Sequence, residues 1–257
     1  MDAIVTAGGV PQPGEPLYEY TRGISKALLD VSGKPMIQWV LDALTAASTI
    51  DRVLIMGLPA ESEISCPKLV SYLPSQGDMV ANIRAGISEL LRINPQAQHV
   101  LLASSDIPCI TSEMVDWVVK TTMQTDEDAY YNVISRQVME KRFPTSNRSY
   151  IKLKDVEVCG ADMNVVATRL VTTNDEIWIK LVSARKNALK QAALLGFDTL
   201  FLLLLHAITL EAAIKKVTKR LNITGRAILC PYAEVGMDID KPHQLEILRA
   251  DLAQQRD

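Results

Sequence analysis

Apolar positions fall into two patterns that alternate along the first half of the chain. Short, largely apolar runs occur at Ala3–Val5, Arg52–Met56 and His99–Ala103, and Lys68–Leu73 is a plausible further strand. Runs of this length without polar interruption read as strands covered on both faces. Between them, apolar residues recur every three or four positions. Met36, Ile37, Val40, Leu41 and Leu44 follow Pro35, which suits a first helical turn, and Val80, Ile83, Ile87, Leu90 and Leu91 mark the face of a second helix. The order strand, helix, strand, strand, helix, strand predicts an α/β protein with a mostly parallel sheet and helices on both faces. Ligands of such sheets sit outside the carboxyl ends of the strands. The loops that follow strands, Ala7-Gly8-Gly9, Ser75-Gln76-Gly77-Asp78 and Ser104-Ser105-Asp106-Ile107-Pro108, are therefore expected to meet at one edge.

The second half is less periodic. Thr111 or Ser112 is placed to cap a helix over Glu113–Thr122, and Ala129–Ile134 reads as a strand. The polar stretch Met139–Ser149 reads as a hairpin or loop. Tyr150–Leu153 and Val156–Val158 read as a strand pair around Lys154-Asp155, and Cys159–Asn164 as a glycine-containing turn. From Asp175 to Leu221 the pattern is mostly helical with a break at Gly196. Arg226–Leu229 is a late strand, Gly236–Pro242 a loop or short strand, and Leu245–Ala253 a closing helix. No repeat or linker divides the chain, so 1–257 reads as one domain, with about 183–222 as a helical cap or insertion.

Composition narrows the function class. The 257 residues are 48% hydrophobic and 22% charged, with a formal charge of −3. That balance gives no reason to expect a nucleic-acid partner. The apolar stretch near Leu200–Leu205 is about half the ~20 residues needed to span a bilayer, so no membrane partner is expected. The N-terminus lacks a basic region followed by an apolar one, and the cytoplasm is the expected location. Cys66, Cys109, Cys159 and Cys230 are far apart, with neither zinc-site nor disulfide spacing. His99, His206 and His243 are isolated and read as structural, opening a strand, lying within a helix and beginning the last helix respectively.

The candidate chemistry is that of phosphate. Two adjacent glycines after a buried strand let backbone N–H groups approach an anion, and Lys26 and Lys34 follow as ammonium donors. The stretch matches neither GxxxxGK[ST] nor GxGxxG. Asp106, at a strand end before Pro108, could hold a hard divalent cation or merely shape a turn. Asp238 and Asp240 would face the same side of an extended segment. One of them could pair with Asp106 around Mg²⁺, or could cap the last helix.

Taken in order, these pieces resemble the nucleotidyltransferases of the GT-A-like, Rossmann-related fold: the MobA-like enzymes, the sugar-phosphate nucleotidyltransferases and the cytidylyltransferases. The shared features are Ala7-Gly8-Gly9, Ser25-Lys26-Ala27-Leu28, Gly33-Lys34-Pro35-Met36, Gln76-Gly77 with Asn82, Asp106-Ile107-Pro108 and the stretch from Asp238 to Leu245. The resemblance implies a three-layer Rossmann-like sheet and transfer of a nucleoside monophosphate from an NTP to a phosphorylated small-molecule acceptor, with release of pyrophosphate. It implies that Ala7, Gly8 and Gly9 grip the nucleotide and Lys26 neutralises charge at the α-phosphate. By the same resemblance Gln76 and Gly77 select the base, Asn82 follows them, and Asp106 and Asp240 hold Mg²⁺, with Asp238 second in that role. Asn164 matches an acceptor-side asparagine, while Arg185 and Lys186 would meet an acceptor phosphate or form a solvated helix face.

The family's G-x-G-x-R is replaced here by a longer, proline-rich loop from Val10 to Ser25, in which Arg22 is the candidate to take over the arginine's role. Two other readings share the features: a GT-A-type glycosyltransferase using a nucleotide-sugar, and a non-catalytic nucleotide-binding protein. Ser104-Ser105-Asp106 lacks the first aspartate of the glycosyltransferase D-x-D. The base, the acceptor and the oligomeric state, a homo-oligomer included, stay open.

Overall fold

The computed structural model describes residues 1–173 and 196–254. The expected cap at 183–222 therefore lies partly outside the described residues, and Arg185 and Lys186 lie wholly outside them. Strand β1 (Asp2–Thr6) runs parallel to β4 (Arg52–Met56) on one side and β6 (His99–Ser104) on the other, and β5 (Leu69–Leu73) extends β4. Between β1 and β4 lies the two-residue hairpin of β2 (Asp30–Val31) and β3 (Lys34–Pro35). Its turn residues Ser32 and Gly33 both have positive φ, 52° and 84°, the geometry that matches strand twist in a tight hairpin.

Along β1 the side chains alternate, as a pleated strand requires. Ala3 and Val5 enter a core with helix α2 (Met36–Ala46) and helix α4 (Ser112–Thr122). Ile4 points to the opposite face, with Ile87 and Leu90 of helix α3 (Met79–Ile93). Both faces are thus covered, which is why the interiors of β1, β4 and β6 carry no polar interruptions. The strands and helices expected in the first half all form, within one or two residues of their expected bounds.

The second half departs from expectation. Met139–Ser149 is not all loop, because helix α5 spans Arg136–Arg142. Ser135 caps it by accepting from the Val138 N–H, and Met139 is its buried residue. Cys159–Asn164 is not simply a turn either. It ends β9 (Glu157–Gly160) and begins β10 (Met163–Ala167), a strand that the sequence pattern did not reveal. β10 lies antiparallel between β6 and β7 (Ala129–Ser135), so the sheet is mixed. β9 and β8 (Ile151–Lys152) pair antiparallel beyond β7, and β11 (Gly225–Leu229) pairs parallel with β7. The order is β5-β4-β1-β6-β10-β7-β9-β8 with β11 beside β7, nine strands among the described residues.

Helices Phe197–Leu204 and Leu210–Leu221 supply Leu202, Leu203 and Leu210 to a smaller cluster with Val133, Leu153 and Val158. His206 lies beyond the end of the first of these helices with φ 51°, not within it. No described helix is long and apolar enough to cross a membrane.

The carboxyl ends of β1, β4 and β5 do meet. The Ala7 N–H donates to the Met56 carbonyl at 2.8 Å, and the Gly57 N–H to the Leu73 carbonyl at 2.8 Å. Gly57 has φ 94°, and a Cβ there would fall 2.6 Å from the Gly8 nitrogen, so the β4 end must be glycine for the glycine loop to pass. Gly57→Ala is expected to lower the unfolding free energy by about 1–3 kcal/mol, seen as a fall in the urea midpoint. Gly77→Ala, at φ 89° but facing open space, should cost less. Equal midpoints for Gly57→Ala and the parent would refute the close approach.

Candidate functional site

Lys26 begins a short 3₁₀ turn, Lys26–Leu28, whose N-cap is Ser25. The Ser25 hydroxyl donates to the Ala7 carbonyl at 2.6 Å, and the Lys26 N–H donates to the Gly9 carbonyl at 2.9 Å. The long loop is thereby returned to the end of β1. The Lys26 stem lies along Gly9, where a Cβ would sit 3.5 Å from Lys26 Cε. Its ammonium reaches Asp106 at 2.5 Å and Asp240 at 2.8 Å. Burial disfavours the charged ammonium, but Asp106 and then Asp240 outweigh that, and the Lys26 pKa lies above its ordinary value.

Asp106 stands just past β6 and is buried, and its Oδ1 has no hydrogen-bond partner among the described residues. The Ile239 N–H donates to the Asp106 carbonyl at 3.0 Å and carries the Asp238–Asp240 segment to the same place. At the start of the closing helix, Pro242–Gln254, Gln244 Oε1 accepts from the Asp240 and Lys241 N–H groups at 3.0 and 2.9 Å, and the Lys241 carbonyl accepts from the Gln244 and Leu245 N–H groups. Carboxylate oxygens of Asp106, Asp238 and Asp240 lie within 4.8 Å of one another. An all-oxygen set in which Asp106 Oδ1 and Asp238 Oδ1 are both buried without a hydrogen bond among the described residues suits a hard divalent cation.

Two residues that sequence reasoning missed complete the arrangement. Asp162, in the turn between β9 and β10, accepts from the Ser104 N–H through its carbonyl at 2.9 Å and donates its own N–H to the Val235 carbonyl at 2.9 Å. Burial first, then the Asp106 and Asp240 carboxylates, push its side chain up to about 7 against the pull of Arg148 and Lys26. Arg148 contacts Asp238 and stands 4.0 Å from Asp162. A carboxylate flanked by the apolar Ala161 and Met163 was a readable signal for Asp162. Nothing in the stretch around Arg148 singles it out.

The other expected residues are placed as follows. Gly8 passes Ser75, so the first and second loops do converge. Gln76 is exposed, and its N–H donates to Asn82 Oδ1 at 2.6 Å, so Asn82 shapes this loop. Gly77, at φ 89°, forms the bend. Asn164 is engaged within the sheet, accepting from the Asn132 N–H at 2.8 Å and donating to the Ala161 carbonyl at 2.9 Å. Lys34 turns away from the site, over the Trp39 ring and onto Asp42. Arg22 is exposed at the C-cap of helix α1 (Tyr18–Thr21). The rest of that loop, from Gly9 to Pro11 and from Glu15 to Leu17, walls a cavity of about 320 Å³ with Lys26 and Asp240.

The raised Asp162 pKa predicts a pH signature. In the unfolded chain this carboxyl ionises near pH 4, and in the fold it stays protonated until about pH 7. Between those values the folded state binds the extra proton, so stability falls as pH rises, and the full penalty stands above pH 7. Asp162→Asn should therefore stabilise the cation-free protein at pH 8 by about 1–3 kcal/mol, and hardly at pH 4. Thermal melts at both values would measure it, and an equal shift at both would refute it.

Comparison with known proteins accords with this geometry. The MobA-like NTP transferase domain model matches residues 3–141. A hypothetical transferase structure from Thermus thermophilus is 29% identical, with a TM-score of 0.82 over 95% of this chain and 98% of that one. A CMP:2-keto-3-deoxy-manno-octonic acid synthetase solved with CTP (14% identity, TM-score 0.57, 99% and 98% of the two chains) shares the fold. So does a 4-diphosphocytidyl-2C-methyl-D-erythritol synthase from Anaerococcus prevotii (11%, 0.58, 98% and 95%). No curated protein sequence matches. The chain belongs to the MobA-like NTP transferase family, and it is a nucleotidyltransferase.

Proposed function

We propose that the protein transfers a nucleoside monophosphate from an NTP to a phosphorylated small-molecule acceptor, with release of pyrophosphate and dependence on Mg²⁺. The observation that carries this reading is the Lys26 ammonium held between Asp106 and Asp240 at the end of the glycine loop. An acceptor phosphate oxygen attacks the α-phosphorus, the new P–O bond forms, and the α–β bridging bond breaks. Such transfers need positioning and charge neutralisation more than a general base. The backbone of Ala7, Gly8 and Gly9 cradles the triphosphate, and Lys26 stabilises charge that develops at the α-phosphate. Gln76 and Gly77 meet the base, with Asn82 fixing their loop. Asp106 and Asp240 hold the cation, which when bound supplies charge neutralisation at the phosphate oxygens.

Arg22, exposed on the long loop, is the candidate for a further phosphate contact. Asn164 acts on the acceptor side through the loop it anchors, and Arg185 and Lys186 remain the acceptor-phosphate candidates. The site begins at residue 7 and is completed at residue 240, which argues for one catalytic domain. Two neighbours are named for CMP and diphosphocytidyl products, one of them solved with CTP, and this makes CTP the first nucleotide to try.

Incubation with each NTP, Mg²⁺ and a panel of sugar and alditol phosphates should release pyrophosphate with one pairing. Lys26→Ala should lower kcat/KM by about 10²–10³-fold with the fold retained by circular dichroism. An NTP-induced rise in melting temperature without turnover on any acceptor would favour a binding protein. Release of nucleoside diphosphate from a nucleotide-sugar would instead favour a glycosyltransferase.

A further inference from the structure

We propose that Arg148 is a positioning residue that withholds Asp238 from the cation site, leaving Asp106 and Asp240 as its carboxylates. This rests on the reading of the site just given. Three carboxylates lie within 4.8 Å, but the cations beside them divide the set. Lys26 pairs with Asp106 and Asp240. Arg148 contacts Asp238 and faces Asp162, and the Cys159 thiol lies beside it. The Asp238 side chain is 11% exposed, against 57% for Asp240. Arg148 is itself 15% exposed, with Nε buried and unpartnered among the described residues. Its segment is anchored where His243 Nε2 and the Ser146 carbonyl lie 3.1 Å apart, at the start of the closing helix.

The guanidinium presents Asp238 with a rigid, planar set of donors, so a cation that recruits Asp238 has to displace it. The consequence is selectivity. Three free carboxylates would bind a bare cation tightly and favour ions that take many oxygens. Two carboxylates leave positions for water and substrate phosphates, the usual arrangement around Mg²⁺. Arg148 thus keeps the site weak toward a bare ion and dependent on the nucleotide to complete it.

The test is Mn²⁺ binding to the full-length, nucleotide-free protein, followed by the paramagnetic resonance of free Mn²⁺. Asp106→Asn should weaken binding at least tenfold, whereas Asp238→Asn should stay within about threefold of the parent. Arg148→Met should tighten binding about tenfold (about 1.4 kcal/mol), because it frees the Asp238 carboxylate to join the site. Arg148→Lys should restore the parent affinity, and the Arg148→Met/Asp238→Asn pair should bind as the parent does. A tenfold loss in Asp238→Asn overturns the proposal, as does unchanged or weaker binding in a folded Arg148→Met. If Arg148→Met does not fold, Asp238→Asn decides alone. No Mn²⁺ binding by the parent, or full binding by Asp106→Asn, overturns the cation reading and this proposal with it.

Discussion

One ammonium holds the working edge of this protein together. Lys26 draws a carboxylate from the end of β6 and another from the segment before the closing helix, residues 80 and 214 positions away in sequence. Without it, the buried Asp106 would lack a counter-ion. Stripping the partner from a buried pair costs about 3–5 kcal/mol, and less here because Asp240 is open to solvent. The backbone supports the same closure: Ser25 to Ala7, Lys26 to Gly9 and Ile239 to Asp106 are hydrogen bonds between the same segments. The constraint is electrostatic, but its precision comes from strand ends that are already fixed by a core covered on both faces.

Much of this was readable in the sequence, and the reasons are specific. β1, β4 and β6 lie mid-sheet, so they are continuously apolar and announce themselves. The loops after them carry the glycines and Asp106, and their meeting follows from parallel topology alone. β10 was hidden because it is short and half-exposed, alternating at Asn164 and Val166. Helix α5 was hidden because Met139 is its buried residue among charged neighbours. Asp162 and Arg148 sit in stretches with no periodicity, and only the three-dimensional return of β9 and β10 to the end of β6 brings them to the carboxylates. Lys34 and Asn164 are both engaged locally, Lys34 by Trp39 with Asp42 and Asn164 at the β7–β10 junction, and the sequence alone did not disclose those partners.

The boundary of the family match is instructive. It ends at residue 141, within helix α5, so it covers the glycine loop, Lys26 and Asp106. Arg148, Asp162, Asp238 and Asp240 all lie beyond it. The likeness to the Thermus thermophilus structure continues across 95% of the chain. The matched part therefore carries the ammonium and one carboxylate, and the remaining acidic groups and the guanidinium come from the part of the chain beyond it.

Gln244 has a consequence for timing. Because its side-chain amide fixes the Asp240 and Lys241 backbone, the main chain at the mouth of the site is held still while the exposed Asp240 carboxylate stays free to change rotamer. Release of that carboxylate from the Lys26 ammonium is then a matter of side-chain rotation, on a scale of picoseconds to nanoseconds, and not of loop opening in microseconds. Loading of the proposed cation would then not wait on backbone motion.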